Sequence, residues 1–203
     1  MVESKSQVRR RHRTLRAELG EPEAQKRGQR LSELLSSRIP AGAVVAGYAP
    51  MRGEPDVLPF LRTHRRRGGR VYLPVVVDSA ARQMHWARWT ESAGLRRSAL
   101  LPVLEPAGAR FSTAELLQHC AGSQLTVLVP ALAVDAHGGR LGQGGGFYDT
   151  VFLQHPELAE VSQLLAVVHT EEVLAAGSFP VEDHDLRVPQ AVTPERIIDL
   201  MSS

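Results

Sequence analysis

The chain has 203 residues, 43% of them hydrophobic and 23% charged, with a formal net charge of +2. That balance excludes bulk disorder and a globally basic nucleic-acid binder, and the length suits one α/β domain over residues 1–203. The lone cysteine, Cys120, excludes an internal disulfide. With no apolar run of membrane-spanning length and no apolar signal core at the N-terminus, the expectation is a soluble, cytoplasmic protein.

Residues Ser4 to Leu19 read as a helix with Ser4 as its N-cap. Lys5, Arg9 and Arg13 recur at helical spacing on one face, and Val8, Leu15 and Leu19 form a thin apolar stripe beside them. Such a row of cations suits either a phosphate or an RNA backbone, and the two stay open at this point. A second helix follows Glu21-Pro22 and runs toward Arg38. Ala43 to Tyr48 is a short apolar strand that leads into a loop carrying Ala49 and Glu54. Asp56 then caps a helix through Leu58, Phe60 and Leu61 that closes on Arg65-Arg66-Arg67-Gly68-Gly69, a solvated basic end stopped by glycine. Arg70 to Val76 is the next strand. Strand, helix and strand make a βαβ unit and a parallel sheet, and ligands gather at the carboxyl ends of such strands, where Glu54 lies.

Gln83 to Trp89 alternates and suits an edge or antiparallel strand, with Trp86 and Trp89 on opposite faces. Leu95 to Ala109 reads as loop, with Glu105 a hydrogen-bonded loop carboxylate. Ser112 caps a short helix ending at Cys120, a small core residue, and Leu125 to Val129, ended by Pro130, is a buried strand. Asp135-Ala136-His137-Gly138-Gly139 is a turn that delivers Arg140 into the most distinctive stretch of the chain.

That stretch is Arg140-Leu141-Gly142-Gln143-Gly144-Gly145-Gly146-Phe147-Tyr148-Asp149. Only glycine lets a main chain approach phosphate closely, and a helix N-terminus adds unpaired N–H groups and a positive dipole end. The chain has no Gly-x-x-x-x-Gly-Lys-Ser/Thr, and Phe147 occupies the position where a Gly-x-Gly-x-x-Gly pattern needs its third glycine. The residue types suit phosphates on Arg140 and the loop amides, a flat ring on Phe147 and Tyr148, and a metal on Asp149; a glycine-rich hairpin with an exposed arginine is the plainer alternative. Beyond it come a buried strand at Leu164 to Val168, an acidic loop from Phe179 to Asp185, and a final helix started by Thr193-Pro194-Glu195-Arg196.

Taken together, Lys5-x-x-Val8-Arg9, Gly53-Glu54, Val71-Tyr72-Leu73-Pro74, Glu105-Pro106, the block from Val129-Pro130 to Tyr148-Asp149, His184-Asp185 and Val192-Thr193-Pro194 resemble the 5-formyltetrahydrofolate cyclo-ligase family, also called methenyltetrahydrofolate synthetases, across nearly the whole chain. The resemblance implies a three-layer α/β/α sandwich with a mainly parallel central sheet. It also implies an ATP- and Mg²⁺-dependent ligase acting on small molecules, without nucleic acid or membrane, as a monomer or weak dimer. Carried over by position, Lys5, Arg9, Arg140, Leu141, Gly142, Gln143, Gly144, Gly145, Gly146, Phe147 and Tyr148 would contact ATP. Ala49, Glu54, Gln143, Gly144 and Phe147 would face the folate, Asp149 and Asp185 would hold the metal, and Arg140, Tyr148 and Glu54 would carry the chemistry. This chain departs from the family's habit at Gln143, commonly a large residue such as tyrosine, at Phe147, commonly tyrosine, and at Thr150 and Pro189. An RNA-associated relative that keeps the fold, or another ATP-dependent enzyme on the same scaffold, would share many of these features.

Overall fold

The computed structural model describes residues 2–90 and 93–201. Helix α1 (Lys5–Glu18) begins at a capping box: the Ser4 hydroxyl accepts the Gln7 N–H, and the Gln7 side chain accepts the Ser4 N–H. Helix α2 (Glu21–Arg38) follows with Pro22 in its first turn, where the missing N–H costs nothing. Strand β1 (Val44–Ala46), helix α3 (Leu58–Arg66) and strand β2 (Arg70–Asp78) form the expected succession of strand, helix and parallel strand, and Asp56 Oδ1 accepts the Leu58 N–H at 2.9 Å. A tight turn leads to β3 (Gln83–Arg88), and β4 (Leu95–Arg97), β5 (Leu104–Pro106) and β6 (Arg110–Phe111) come before α4 (Thr113–Cys120), which has its own capping box between Ser112 and Glu115. The rest is β7 (Leu125–Pro130), β8 (Ala133–Asp135), β9 (Arg140–Leu141), α5 (Phe147–Gln154), α6 (Glu157–Val161), β10 (Ser162–Val167), β11 (Val173–Leu174), β12 (Gln190–Val192) and β13 (Ile197–Asp199).

Eight strands form one sheet in the order β13-β12-β10-β7-β1-β2-β3-β6. The five from β12 to β2 pair in parallel, while β13, β3 and β6 run antiparallel at the edges. The parallel strands are buried on both faces, which is why β1 reads as an unbroken apolar run and β7 departs from one only at the buried Thr126. Their side chains alternate between two cores. Val44, Ala46, Val127 and Val129 join Leu116 of α4, Phe152 of α5 and Leu158 of α6; Val45, Leu128, Leu165 and Val167 join Leu31 and Leu35 of α2 and Phe60 and Leu61 of α3. Helices therefore cover both faces, and the chain is a three-layer α/β/α sandwich. Trp86 lies in the first core, with its Nε1 donating to Thr113, and Trp89 in the second, beneath the Arg65 guanidinium. Both tryptophans are core. Among the described residues no helix is long and apolar enough to cross a membrane.

Four local expectations change. Residues 95–109 hold a β4–β5 hairpin instead of plain loop. The glycine stretch follows β9, which belongs to a separate small sheet with β8 and β11, so the buried strand β7 does not feed it directly. The apolar stripe expected on α1 is different too: Leu15 is exposed, and the buried face is Val8, His12 and Arg16. Finally, Thr193 closes a turn and no helix follows. Its Oγ1 accepts the N–H groups of Glu195 and Arg196, and Ile197 to Asp199 pair back onto β12. The β-branched pair Ile197 and Ile198 suits a strand better than a helix, and the edge of β12 offers it backbone partners.

Candidate active site

Beyond the carboxyl ends of β1, β2 and β7 lies a cavity of about 510 Å³. All the residues that the sequence assigns to a site border it: Lys5 and Arg9 from α1, Ala49 and Glu54 from the loop after β1, Arg140 to Asp149 from β9 into α5, and Asp185 from the acidic loop.

The glycine loop owes its path to α1. The Arg9 Nε donates to the Gly142 carbonyl at 3.0 Å, and Arg13 donates to the Gln143 carbonyl at 2.7 Å and to its side-chain oxygen at 3.1 Å. In a trans peptide the C=O and the following N–H point opposite ways, so these contacts turn the N–H groups of Gln143 and Gly144 away from the helix. Among the described residues, no acceptor within the chain takes the N–H of Gln143, Gly144, Gly145 or Gly146. Gly146 caps α5 in the left-handed region at φ 70°, and Gly144 has φ 106°, conformations that side chains other than glycine seldom adopt. A Cβ on Gly142 would sit 2.8 Å from the Arg140 guanidinium, so the glycines also make room for that group.

The charges around the loop are paired with one another. Arg140 donates to Asp149 Oδ1 at 2.5 Å and to the Pro130 carbonyl at 3.2 Å, while the Leu186 N–H also reaches Asp149 at 3.0 Å. Lys5 bridges Asp185 at 2.6 Å and Glu182 at 2.7 Å. Burial by itself would lower the pKa of Lys5, but its hydrogen bonds to Asp185 and Glu182 outweigh that and raise it. For Asp185 burial pushes upward, and the bond to Lys5 with the Glu182 N–H brings the net pKa below the usual carboxylate value. Glu182, His184 and Asp185 bring their ligand atoms within 4.8 Å of one another, a possible metal group; Asp149 stands outside it, beside Arg140. The Tyr148 hydroxyl is buried without a hydrogen-bond partner, and burial raises its pKa well above the ordinary phenol value, so it stays a neutral donor. Its ring lies 6.0 Å from the Arg140 guanidinium.

Glu54 hangs from a turn in which Gly53 has φ 81°. One carboxylate oxygen accepts the Met51 N–H at 3.0 Å; the other faces the Gln143 amide at 3.3 Å and the buried Arg16 guanidinium at 3.8 Å.

The 5-formyltetrahydrofolate cyclo-ligase family model matches residues 1–194. The chain belongs to this family. A 5-formyltetrahydrofolate cyclo-ligase of Mycolicibacterium smegmatis is 36% identical over 180 residues, covering 86% of this chain and 87% of the relative. An enzyme of the same name from Escherichia coli is 29% identical over 195 residues, covering 94% of this chain and 98% of its own. Among solved structures, the 5,10-methenyltetrahydrofolate synthetase of Aquifex aeolicus superposes with a TM-score of 0.75 at 25% identity, over 98% of this chain and 94% of that one. The Mycoplasma pneumoniae synthetase, at 17% identity and a TM-score of 0.69 over 95% of this chain and 99% of its own, shares the fold.

As a member of the cyclo-ligase family the chain is a ligase, and its cavity has a second wall that sequence reasoning missed. Arg82 reaches it from the β2–β3 turn, in the left-handed region at φ 53°, with its guanidinium against Gly146. Leu101 to Leu104, from the β4–β5 turn into β5, add an apolar rim with Pro74 and Val76. The apolar residue types signal no ligand, Arg82 stands alone without a motif, and only the folded chain brings them to the cavity that the glycines border. Arg16 was missed too, although its spacing from Val8 and His12 puts it on one helical face. Glu105 is hydrogen-bonded as its sequence suggests, accepting the Val76 N–H at 2.9 Å, but it does so buried and from strand β5 instead of a loop.

Proposed function

We propose that the protein converts 5-formyltetrahydrofolate and ATP into 5,10-methenyltetrahydrofolate, ADP and phosphate, as one cytoplasmic domain working on small molecules. The observation that carries this reading is the glycine loop: α1 takes its carbonyls, the N–H groups of Gln143 to Gly146 have no acceptor among the described residues, and Lys5, Arg9 and Arg140 stand around the same cavity. Free amides beside three cations suit a triphosphate.

A formamide oxygen leaves poorly, so it must first become a phosphate ester. The formyl oxygen attacks the γ-phosphorus and ADP departs. N10 then attacks the formyl carbon, releases its proton, and the C–O bond breaks to free phosphate. The protein's share is positioning and electrostatics. Arg140 and the loop amides hold the phosphoryl oxygens in line with the formyl group, and the ring of Phe147 lies on the reduced pterin. Glu54 accepts N–H groups of the pterin edge, and its bonds to Met51 and Gln143 fix which oxygen faces them. Tyr148, neutral and partnerless, has a proton to donate to an oxyanion beside Arg140. The carboxylates of Asp149 and Asp185, with Glu182 beside the latter, are hard oxygen donors that suit Mg²⁺. When bound, that ion neutralises charge on the phosphates.

The test is spectroscopic. Protein mixed with ATP, Mg²⁺ and 5-formyltetrahydrofolate should produce the near-ultraviolet band of the methenyl product, with one ADP per product formed; no band with a folded protein would remove the reading.

A further inference from the structure

A buried, forked ion pair lies outside the glycine loop. The Arg16 side chain is 5% exposed and its guanidinium forms a fork with Glu172, Nε to Oε1 at 2.6 Å and a second nitrogen to Oε2 at 2.9 Å; that second nitrogen also donates to the Ala131 carbonyl. The remaining terminal nitrogen is buried, has no hydrogen-bond partner, and faces Glu54 Oε1 at 3.8 Å. The Glu54 side chain is itself only 6% exposed. The turn that carries Glu54 is pressed onto the same helix: a Cβ on Gly53 would lie 3.0 Å from Arg16 Cβ and 3.2 Å from its carbonyl oxygen. From behind, the Gly53 carbonyl meets a ring nitrogen of His169, whose backbone N–H donates to Glu172. Arg16, Glu172, His169, Gly53 and Glu54 thus close a circuit around the end of α1.

A second route reaches the same carboxylate from the same helix. Arg13 holds both the backbone and the side-chain oxygen of Gln143, and the other end of that amide points to Glu54 Oε1. Glu54 is therefore flanked by two branches of α1, one direct through Arg16 and one relayed through Gln143. The far end of α1 carries Lys5 and Arg9, and the helix between them is a rigid rod, with about 16 Å of rise from Lys5 to Arg16.

We infer that Arg16 is a positioning residue, which sets the Glu54 carboxylate against the folate and makes α1 a mechanical link between nucleotide and folate binding. The inference rests on the folate and ATP reading above. Seating phosphates on Lys5 and Arg9 fixes the tilt of the helix, the tilt fixes the direction of Glu54, and reciprocity requires that folate bound at Glu54 strengthen nucleotide binding by the same factor. Arg16 suits this task because a guanidinium can serve a fork on one side and still present an N–H on the other. Glu172 saturates one edge, and Glu54 alone stands before the third nitrogen.

The test compares wild type with Arg16→Lys and with the double variant Arg16→Met/Glu172→Met, which removes the pair together so that no buried charge is stranded. Affinities for a non-hydrolysable ATP analogue and for 5-formyltetrahydrofolate are measured separately and together, with KM and kcat alongside. Wild type should show mutual strengthening of the two ligands. In the double variant the KM for the folate should rise about tenfold or more while the affinity for the nucleotide alone stays within about threefold and the coupling factor falls to near one. Arg16→Lys keeps the charge without the fork and should recover part of the coupling. A folded double variant with normal coupling overturns the inference. So does a loss of melting temperature with equal weakening of both ligands in both variants, the pattern of a merely structural residue. Failure of the functional reading looks different: wild type makes no methenyl product and binds no folate.

Discussion

On one side of the cavity α1 and the glycine loop meet through charges and directed hydrogen bonds; on the other, strand β2 offers Pro74 and Val76 and the β4–β5 hairpin offers Leu101 to Leu104. The first wall is held from residues 133 positions apart in the chain, as in the bond from Arg9 to Gly142, and each contact demands a particular donor and acceptor. The second wall is built mainly of apolar side chains, and apolar contact demands no particular donor or acceptor. Specificity of chemistry therefore resides in the polar wall and tolerance in the apolar one. The polar wall also has the deeper foundation: α1 is seated on a buried ion pair, where its exposed Leu15 contributes no packing.

The sharpest way to break the polar wall is Arg140→Ala. Loss of a charge-assisted contact to the transferred phosphoryl group should cost on the order of 2–4 kcal/mol of transition-state stabilisation, roughly 30- to 900-fold in kcat/KM. The far-ultraviolet circular dichroism should be unchanged, because Asp149 keeps the Leu186 N–H. Near-normal turnover in this variant would remove Arg140 from the phosphate site.

The foundation of that wall should give way in acid. Burial, with the nearby Arg16 and Arg27, lowers the pKa of His169 from 6.5 to about 4. The unfolded chain then binds a proton that the folded chain refuses, so stability is fully present above pH 6.5, declines as the pH falls toward 4, and levels off below. The loss over that window is roughly 3 kcal/mol. Urea midpoints measured through the window should fall for wild type, and His169→Gln should lack this part of the decline; parallel curves for the two proteins would exclude His169 as its source.

The apolar wall should yield the smallest effect. Leu101→Ala removes partly buried apolar surface and should raise the KM for 5-formyltetrahydrofolate about fivefold, a change of roughly 1 kcal/mol. Affinity for the ATP analogue should not move. A variant that weakened nucleotide and folate alike would erase the distinction between the walls.

The amino-acid sequence by itself determined the elements whose signals are local. Ser4 with Gln7 and Ser112 with Glu115 are capping boxes within four residues of chain, the mainly apolar strands at Val44 and Leu125 announce a sheet covered on both faces, and the density of glycines from Gly142 to Gly146 marks a loop with backbone conformations that other residues seldom adopt. The family could be read from the same stretches, because its motifs are runs of neighbouring residues. Only the tertiary structure decided the rest. Thr193-Pro194 is as good a helix start as many, and became a turn because the edge of β12 stood ready to pair with Ile197 to Asp199. Arg16 and Glu172 are ordinary surface residue types until folding encloses them together, 156 positions apart. The apolar rim at Leu101 to Leu104 carries no pattern at all. Short-range geometry is written in neighbouring residues, whereas a buried ion pair or a cavity wall exists only as a distance between distant parts of the chain.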